Sequence, residues 1–318
     1  MLRADAYQLS RTLPNGQALD HGLSYRKIMI QYTLMKHVPR LADAVGDKFI
    51  KSAQDQSFDI RPEWKLSPAP PLIHHVPVVS ETLIPALQAG DIKSVAAPAK
   101  VLNASTIELG DGSRVDVDTI IWCTGYHTDF SVLGPFDPTL HSPPTKQAGS
   151  LDAKLPQERQ PTIPRLYRNI FSLDYPESLA IVGAAAFPSP AFQTYDLASM
   201  AIAQLWKEPS RFPPRGVMLR SVDEHLQWAQ CIAAKGSLNP CFVQAPEWMD
   251  WVEDTAGFHV SDHLGYGLCG WNFWLRDRKF CQLLMDGILS PHIYRLFDSE
   301  RRKKWDGARE AIERLMRK

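Results

Sequence analysis

The fold class of this chain is best read from the stretch Asp118-Thr119-Ile120-Ile121-Trp122-Cys123-Thr124-Gly125-Tyr126. Its isoleucines form a short apolar run that Thr124-Gly125 ends, and this pattern predicts a buried strand followed by a sharp turn. In α/β proteins, ligands bind beyond the carboxyl ends of parallel strands. The stretch is therefore either a core strand with a glycine turn or the strand end at which a ligand enters, and the pattern alone leaves both interpretations open.

Length and composition indicate a globular protein with a substantial core. The chain has 318 residues, 44% of them hydrophobic and 22% charged, which gives room for one large domain or two ordinary ones. Lys+Arg and Asp+Glu both number 35, so no basic excess points to nucleic acid or to an anionic membrane. The sequence contains no run of about 18 apolar residues, so no transmembrane segment is predicted.

The cysteines and the start of the sequence favour a cytoplasmic protein. Residues 1–5 lack the apolar core of a signal peptide. The five cysteines include no C-x-x-C pair, and their odd number is typical of free thiols in a reducing compartment. Cys123 follows apolar neighbours, which favour an inert thiol.

The first part of the chain has a predicted boundary near residue 75. Before it, we expect a helix over 24–38 and a proline-rich, extended segment over 59–77. After it, Ser80 is the expected N-cap of a short helix that stops at Gly90. A candidate strand over 91–96 and a hairpin around Gly110-Asp111-Gly112 then lead into the opening stretch.

The rest of the chain alternates once more between strand and helix and then becomes helical. Residues 134–165 hold many prolines and predict a long surface loop. A second buried strand is expected over 178–183, followed by a helix over 193–206. Four further helices are predicted. The capping-box spacing at 221–224 indicates the start of one, and Pro246 the start of another. The third is expected over 277–285 and ends at Gly287, and the last begins at about Ser299.

Few residues offer direct chemistry. Neither G-x-G-x-x-G nor G-x-x-x-x-G-K-[ST] occurs, and Gly183-Ala184-Ala185-Ala186 has a single glycine, so it is either a packing turn or a point of approach for a flat ring or a ribose. His259 and His263 lack a third ligand and predict no metal site. The tryptophans at 248, 251, 271 and 274 favour core packing over a ligand wall. No G-x-S-x-G elbow supports a hydrolase.

Four stretches, in order, resemble the flavin-containing monooxygenases and related class B flavoenzymes. Residues 118–130 resemble that family's D-x-(V/I)-(I/V)-x-A-T-G-Y motif, with Cys123 in place of the alanine. Asp111-Gly112 resembles its D-G hairpin. Residues 166–183, with Gln193 following, resemble L-Y-x-x-x-F…P-x-L-x-x-x-G…Q. Residues 291–296 and 305–309 resemble P-x-x-Y-R-L…W-x-G-A-R.

The resemblance implies an α/β fold that is the C-terminal part of a two-dinucleotide-binding-domain flavoprotein, with a helical C-terminal region. It assigns 1–75 to a remnant of the NADP-binding insertion domain and 76–318 to the C-terminal portion of the FAD-binding domain. Because the family's two glycine motifs are absent, we expect an N-terminally truncated member. In a complete member, NADPH reduces FAD, and a flavin hydroperoxide oxygenates a small organic substrate by N-, S- or Baeyer–Villiger oxidation.

The same resemblance implies cofactor contacts but no acid or base. Thr124, Gly125 and Tyr126 are expected beside the flavin, and Gly183 and Gln193 in the segment that faces the isoalloxazine or nicotinamide ring. Two other interpretations stay open. One is an FAD/NAD(P) oxidoreductase without oxygenation, which a redox C-x-x-C would have favoured. The other is a non-catalytic remnant, or a subunit that completes a flavin site with another chain. The substrate and the oligomeric state are not predicted.

Overall fold

A computed structural model describes residues 6–13, 15–67, 69, 71–72, 76–122, 129–140, 162–236 and 238–316. Within these residues the chain combines α-helices with three small sheets, an arrangement compatible with the α/β class. The strands are β1 (Gln8–Leu9), β2 (Val78–Val79), β3 (Pro98–Val101), β4 (Thr106–Leu109), β5 (Arg114–Asp116), β6 (Leu166–Tyr167) and β7 (Phe171–Ser172). The helices are α1 (Tyr25–His37), α2 (Pro39–Ser57), α3 (Leu83–Ala89), α4 (Ala191–Lys207), α5 (Arg215–Ala233), α6 (Ala245–Ala256), α7 (Val260–Leu264), α8 (Leu268–Arg276), α9 (Arg278–Asp286) and α10 (Ala308–Met316).

The main core lies among the helices of the second half of the chain. α4 packs against α6, and buried residues recur along it at four-residue spacings: Leu197, Ala201 and Leu205. Phe171 of β7 is fully buried in the same core. Helix α4 was predicted over 193–206, and the structure confirms it with slightly wider bounds. In the part of the chain that the structure describes, no helix has the length and apolar character needed to cross a bilayer.

The predicted hairpin is present, but the strand that was expected before it is not. β4 and β5 pair antiparallel around Gly112, whose φ of +82° suits the turn. β3 pairs on the other side of β4. The candidate strand over 91–96 is wrong, because the pairing with β4 begins only at Pro98 and Gly110 donates its N–H to the Ala97 carbonyl.

The predicted buried strand at the opening stretch is also wrong over the residues that the structure describes. Residues 118–122 form no strand, and Ile121 and Trp122 are 78% and 64% exposed. The last ladder hydrogen bond runs from the Val117 N–H to the Ser105 carbonyl. A strand needs a paired neighbour for its backbone groups, and no backbone hydrogen bond joins 118–122 to one within the described residues.

The second predicted strand, over 178–183, is present only as a short paired segment. Ala180 forms a bridge with Phe171, and the Ile181 N–H donates to the Ile170 carbonyl at 2.8 Å. Val182 and Gly183 are exposed rather than buried. This segment therefore lies beside β7 as an irregular third strand of the β6–β7 sheet. Only its middle residues form backbone hydrogen bonds, and its end is exposed at the surface.

The segments before and after residue 75 contact each other. β1 pairs parallel with β2, and α1 packs against α6 and α9. α1 matches its predicted bounds, with Ser24 as N-cap, but it buries Tyr25, Met29 and Tyr32 against the core and leaves Ile30 51% exposed. α2 was not predicted. The assignment of 1–75 to an insertion domain and of 76–318 to a flavin domain stays a prediction.

Two predicted helix starts are wrong. The capping-box spacing at 221–224 lies inside α5, which begins directly after Pro214 and buries Val222 in mid-helix. The last helix begins at Ala308 rather than at Ser299, because the chain folds back first: the Ser299 N–H donates to the Arg302 carbonyl, and the Trp305 N–H to the Arg295 carbonyl. The helices at Pro246 and over 277–285 were predicted and are confirmed as α6 and α9.

Candidate functional site

The predicted flavin-side residues fall into two groups. Thr124, Gly125 and Tyr126, together with Cys123, lie outside the residues that the structure describes. Gly183 and Gln193 are described, and they lie at the two ends of the connection between the β7-paired segment and α4. The candidate site is therefore this connection, which we call the Gly183–α4 corner (residues 182–195).

Gly183 has a backbone conformation that side chains rarely adopt. Its φ is +103°, and a β-carbon at this position would lie 3.8 Å from the Tyr195 ring, which is ordinary contact. Glycine is therefore required by the backbone angle and not by crowding. Because the residue is exposed, its backbone is open to an approaching ligand.

The turn after Gly183 is fixed by hydrogen bonds to two other segments. Ala184 and Ala185 are buried, and the Ala184 carbonyl accepts a 3.0 Å hydrogen bond from Asn169 Nδ2. Asn169 lies in the left-handed turn between β6 and β7, where asparagine is favoured. The Ala186 N–H donates to the Cys241 carbonyl at 2.8 Å. The corner is thus held rigidly, but its alanines leave little room for a backbone cradle around two phosphates.

Gln193 is turned inward. Its side chain is 6% exposed, and Nε2 donates to the phenol oxygen of Tyr294 at 2.9 Å. Burial, and after it the influence of Tyr32 and Tyr25, raises the pKa of Tyr294 well above its usual range, so the phenol stays neutral. This pair joins α4 to the 3₁₀ helix Pro291–Arg295. The predicted contact of Gln193 with a flavin or nicotinamide ring stays a prediction.

Exposed aromatic residues lie along the solvent side of α4, and the exposed Lys207 follows at its C-terminal end. Phe192 is 87% exposed, and Tyr195 and Trp206 are also exposed. Ser199 and Ala203 complete this row at helical spacing. We call these five residues the α4 outer face. Exposed apolar side chains that form a contiguous patch are typical of contact surfaces, so the α4 outer face is a candidate contact surface.

The corner carries little charge. Asp196 is the one ionic residue in the first two turns of α4, and Arg295 forms an ion pair with it. Residues 182–195 themselves include no ionisable acid or base other than Tyr195. The geometry therefore suits binding of a flat, apolar ring rather than acid–base catalysis.

Sequence reasoning missed Tyr294 and Asn169 as parts of this frame. Tyr294 is the tyrosine of the stretch Pro291-His292-Ile293-Tyr294-Arg295-Leu296, so the resemblance offered a signal for it. Asn169 occupies an unspecified position between Tyr167 and Phe171, and nothing in the pattern marks it. Its role depends on the left-handed turn and on the distant Ala184 carbonyl.

The other candidate residues are packed as structural side chains. His263 stacks on Phe297 with a centroid distance of 3.9 Å, and His259 contacts Asp262. The described residues contain no group of three or more potential metal ligands. Trp248 is buried, and Trp251 and Trp274 pack against the main core, as predicted, whereas Trp271 is 54% exposed.

Comparison with known proteins adds one long similarity. No protein-family model matches the chain. Over 297 residues, which make up 93% of its length, the chain is 43% identical to Monooxygenase aurF of Gibberella zeae. The match covers 55% of that relative, so the chain spans about half of the relative's length. The similarity to monooxygenases thus extends from four short stretches to nearly the whole chain.

Proposed function

We propose that this chain acts in an FAD- and NADPH-dependent monooxygenase that oxygenates a small organic substrate by N-, S- or Baeyer–Villiger oxidation. The observation that carries the proposal is the 43% identity to Monooxygenase aurF over 93% of the chain. That relative's name supports oxygenation, and the four stretches that resemble flavin-containing monooxygenases support the choice of FAD and NADP.

The Gly183–α4 corner fits the ring of the cofactor better than its pyrophosphate. An exposed glycine backbone beside Tyr195 suits the edge of a flat ring, and the exposed Phe192 lies three residues before Tyr195 on α4. The buried alanines after Gly183 do not suit a pyrophosphate. We therefore assign ring contacts to Gly183 and, from the resemblance, to Thr124, Gly125, Tyr126 and Gln193, and we assign no pyrophosphate contact to this corner.

In this proposal the chain positions the cofactor and keeps water away from it. The oxygen-activating chemistry would come from FAD after reduction by NADPH. Gly183 would let the backbone approach the ring, and the Asn169 and Gln193 hydrogen bonds would keep the corner rigid. Phe192 and Tyr195 would exclude water from the ring edge.

A hybrid protein tests this function. The residues of aurF that match this chain are replaced by the chain itself, and the purified hybrid is assayed for bound flavin, NADPH oxidation and oxygen consumption. We expect a yellow protein that oxidises NADPH with uptake of oxygen. Unmodified aurF is the control. A folded hybrid without flavin, next to a flavin-containing aurF, contradicts the proposal, and an aurF without flavin contradicts the cofactor assignment.

A second function is favoured by the α4 outer face: the chain is a subunit, or a non-catalytic remnant, that covers a flavin site on another chain. The exposure of Phe192, Tyr195 and Trp206 supports such a contact. The hybrid separates the two functions. A hybrid that binds flavin but consumes no oxygen with NADPH favours the non-catalytic interpretation.

A further inference from the structure

A cavity of about 480 Å³ lies among α7, α8, α9 and the start of α10, and it contains none of the residues of the Gly183–α4 corner. Its volume falls within the range that is typical of small-molecule sites, roughly 300–1,000 Å³. The chain folds back over 297–305 to form one wall, and the last turn of α8 forms another.

One side of the cavity is a rigid aromatic wall. Phe273 meets Phe280 and Phe297 edge to face, with centroid distances of 6.4 and 5.5 Å. His263 stacks on Phe297, and its Nδ1 lies 2.8 Å from the His259 carbonyl oxygen. These contacts fix the orientation of the rings before any ligand binds, so a flat aromatic ligand would lose little free energy in ordering them.

The polar side of the cavity is rich in cations. Arg276, Lys304 and Arg309 line it, against the single carboxylate of Asp306. Arg309 is held by Asp277 and Glu313, and Lys304 lies 3.9 Å from Asp298. Arg276 is exposed and forms no ion pair or hydrogen bond with the described residues. Toward the described residues its guanidinium is therefore unpaired, and it can bind a carboxylate through two hydrogen bonds.

We propose that this cavity binds a small aromatic carboxylate, with the ring against Phe273 and Phe297 and the carboxylate on Arg276. The site is independent of the flavin proposal, since it shares no residue with the Gly183–α4 corner. Arg276 also lies in the last turn of α8, where a cation interacts favourably with the helix dipole. The interaction with the helix dipole explains why a basic residue stands at this position. It does not explain why an aromatic wall and an open cavity adjoin that residue.

The probe is biphenyl-4-carboxylate, titrated into the full chain by calorimetry, with biphenyl-4-carboxamide as its neutral counterpart. A charge-assisted, two-fold hydrogen bond predicts that the carboxylate binds about tenfold more tightly than the amide. Arg276→Met should remove most of that difference, because the carboxylate loses two charge-assisted hydrogen bonds and the amide carbonyl at most one neutral-acceptor hydrogen bond. Lys279→Met is the matched control, because Lys279 is an exposed cation three residues further on that does not line the cavity.

Thiol alkylation locates the binding. Cys269 is exposed and lines the cavity, whereas Cys231 is exposed on α5. The carboxylate should slow alkylation of Cys269 and leave that of Cys231 unchanged. The proposal is overturned by no binding at about 1 mM ligand, by equal affinity for acid and amide, by an Arg276→Met variant that keeps the preference, or by binding that does not protect Cys269.

Discussion

The Gln193–Tyr294 hydrogen bond joins residues that are far apart in the sequence and buried at the centre of the helical half. Each side chain gives the other a partner at 2.9 Å in a region closed to water. A buried polar group that loses its partner costs more than the hydrogen bond itself contributes. The pair is therefore coupled, and its energy should show in a double-mutant cycle.

We expect Tyr294→Phe to lower the free energy of unfolding by about 1–3 kcal/mol, because the Gln193 amide is left buried without its acceptor. Gln193→Leu should cost a similar amount. The double variant should be clearly less destabilised than the sum of the two changes, which denaturant unfolding measures directly. Strict additivity would show that the two side chains do not depend on each other.

His225 gives a prediction on pH. Burial lowers the pKa of its imidazole to about 4, and its Nε2 has no hydrogen-bond partner among the described residues. The unfolded chain binds the proton at the ordinary value of about 6.5, so the folded state binds fewer protons between these values. Stability is therefore full above about pH 6.5 and falls as the pH drops toward about 4.

His225→Phe keeps a ring beside Trp228 and removes the titrating group. Between these pH values the free energy of unfolding should fall in both proteins. We expect the fall to be smaller in the variant than in the native protein, by on the order of 2 kcal/mol. Urea unfolding at several pH values measures the difference. His37→Phe, at an exposed position on α1, is the control and should keep the native slope. Equal slopes for His225→Phe and the native protein would show that His225 does not titrate in this way.

At the scale of elements, the turn that leads into α4 depends on Gly183. A valine at φ of +103° would be strained, and the cost for such positions is about 1–3 kcal/mol. Gly183→Val should therefore lower the unfolding midpoint in denaturant. Gly216→Val is the control, since Gly216 lies at an exposed position in the first turn of α5, has no left-handed φ and has only the Arg220 side chain near it. Similar losses at both positions would contradict a role for the backbone angle.

Helices with clear local signals could be predicted from the sequence. α1 has Ser24 as N-cap, α6 has Pro246 in its first turn, and α9 has Asp277 as N-cap. These signals act within one turn of the helix, so the pattern contains them. The false start at 221–224 shows the limit, since S-x-x-E also fits the middle of α5.

Strands were predicted less well, because their existence depends on distant partners. Ile120 and Ile121 have the composition of a buried strand, yet residues 118–122 pair with nothing in the described part of the chain. The hairpin of β4 and β5 was predicted correctly because only four residues, 110–113, separate the two strands across a D-G turn. Pairing distance, and not composition, separates the two outcomes.

At the scale of the whole molecule, the candidate site was only partly predictable. The resemblance named Gly183 and Gln193, which define the two ends of the Gly183–α4 corner, and their contact with a cofactor stays a prediction. The partners that hold the corner, Asn169 and Tyr294, come from a left-handed turn and from a segment about 100 residues away. Such contacts depend on tertiary packing, and spacing along the sequence does not encode them.

In the function that we propose, the Gly183–α4 corner contacts the flavin ring and not its phosphates. Fluorescence quenching of FMN and FAD by the purified chain tests this most directly. If only the ring is bound, the two flavins should bind weakly and with dissociation constants within about threefold of each other. Phe192→Glu should weaken both, since it puts a charge at an exposed position beside Gln193.

Ser199→Glu is the matched control, because it adds the same charge to the same face about 10 Å further along α4. It should leave flavin binding unchanged. We predict that the chain quenches the fluorescence of both flavins. Phe192→Glu should reduce this quenching, and Ser199→Glu should not. No quenching at any accessible flavin concentration, or a strong preference for FAD over FMN, would contradict the assignment of ring contacts alone to this chain.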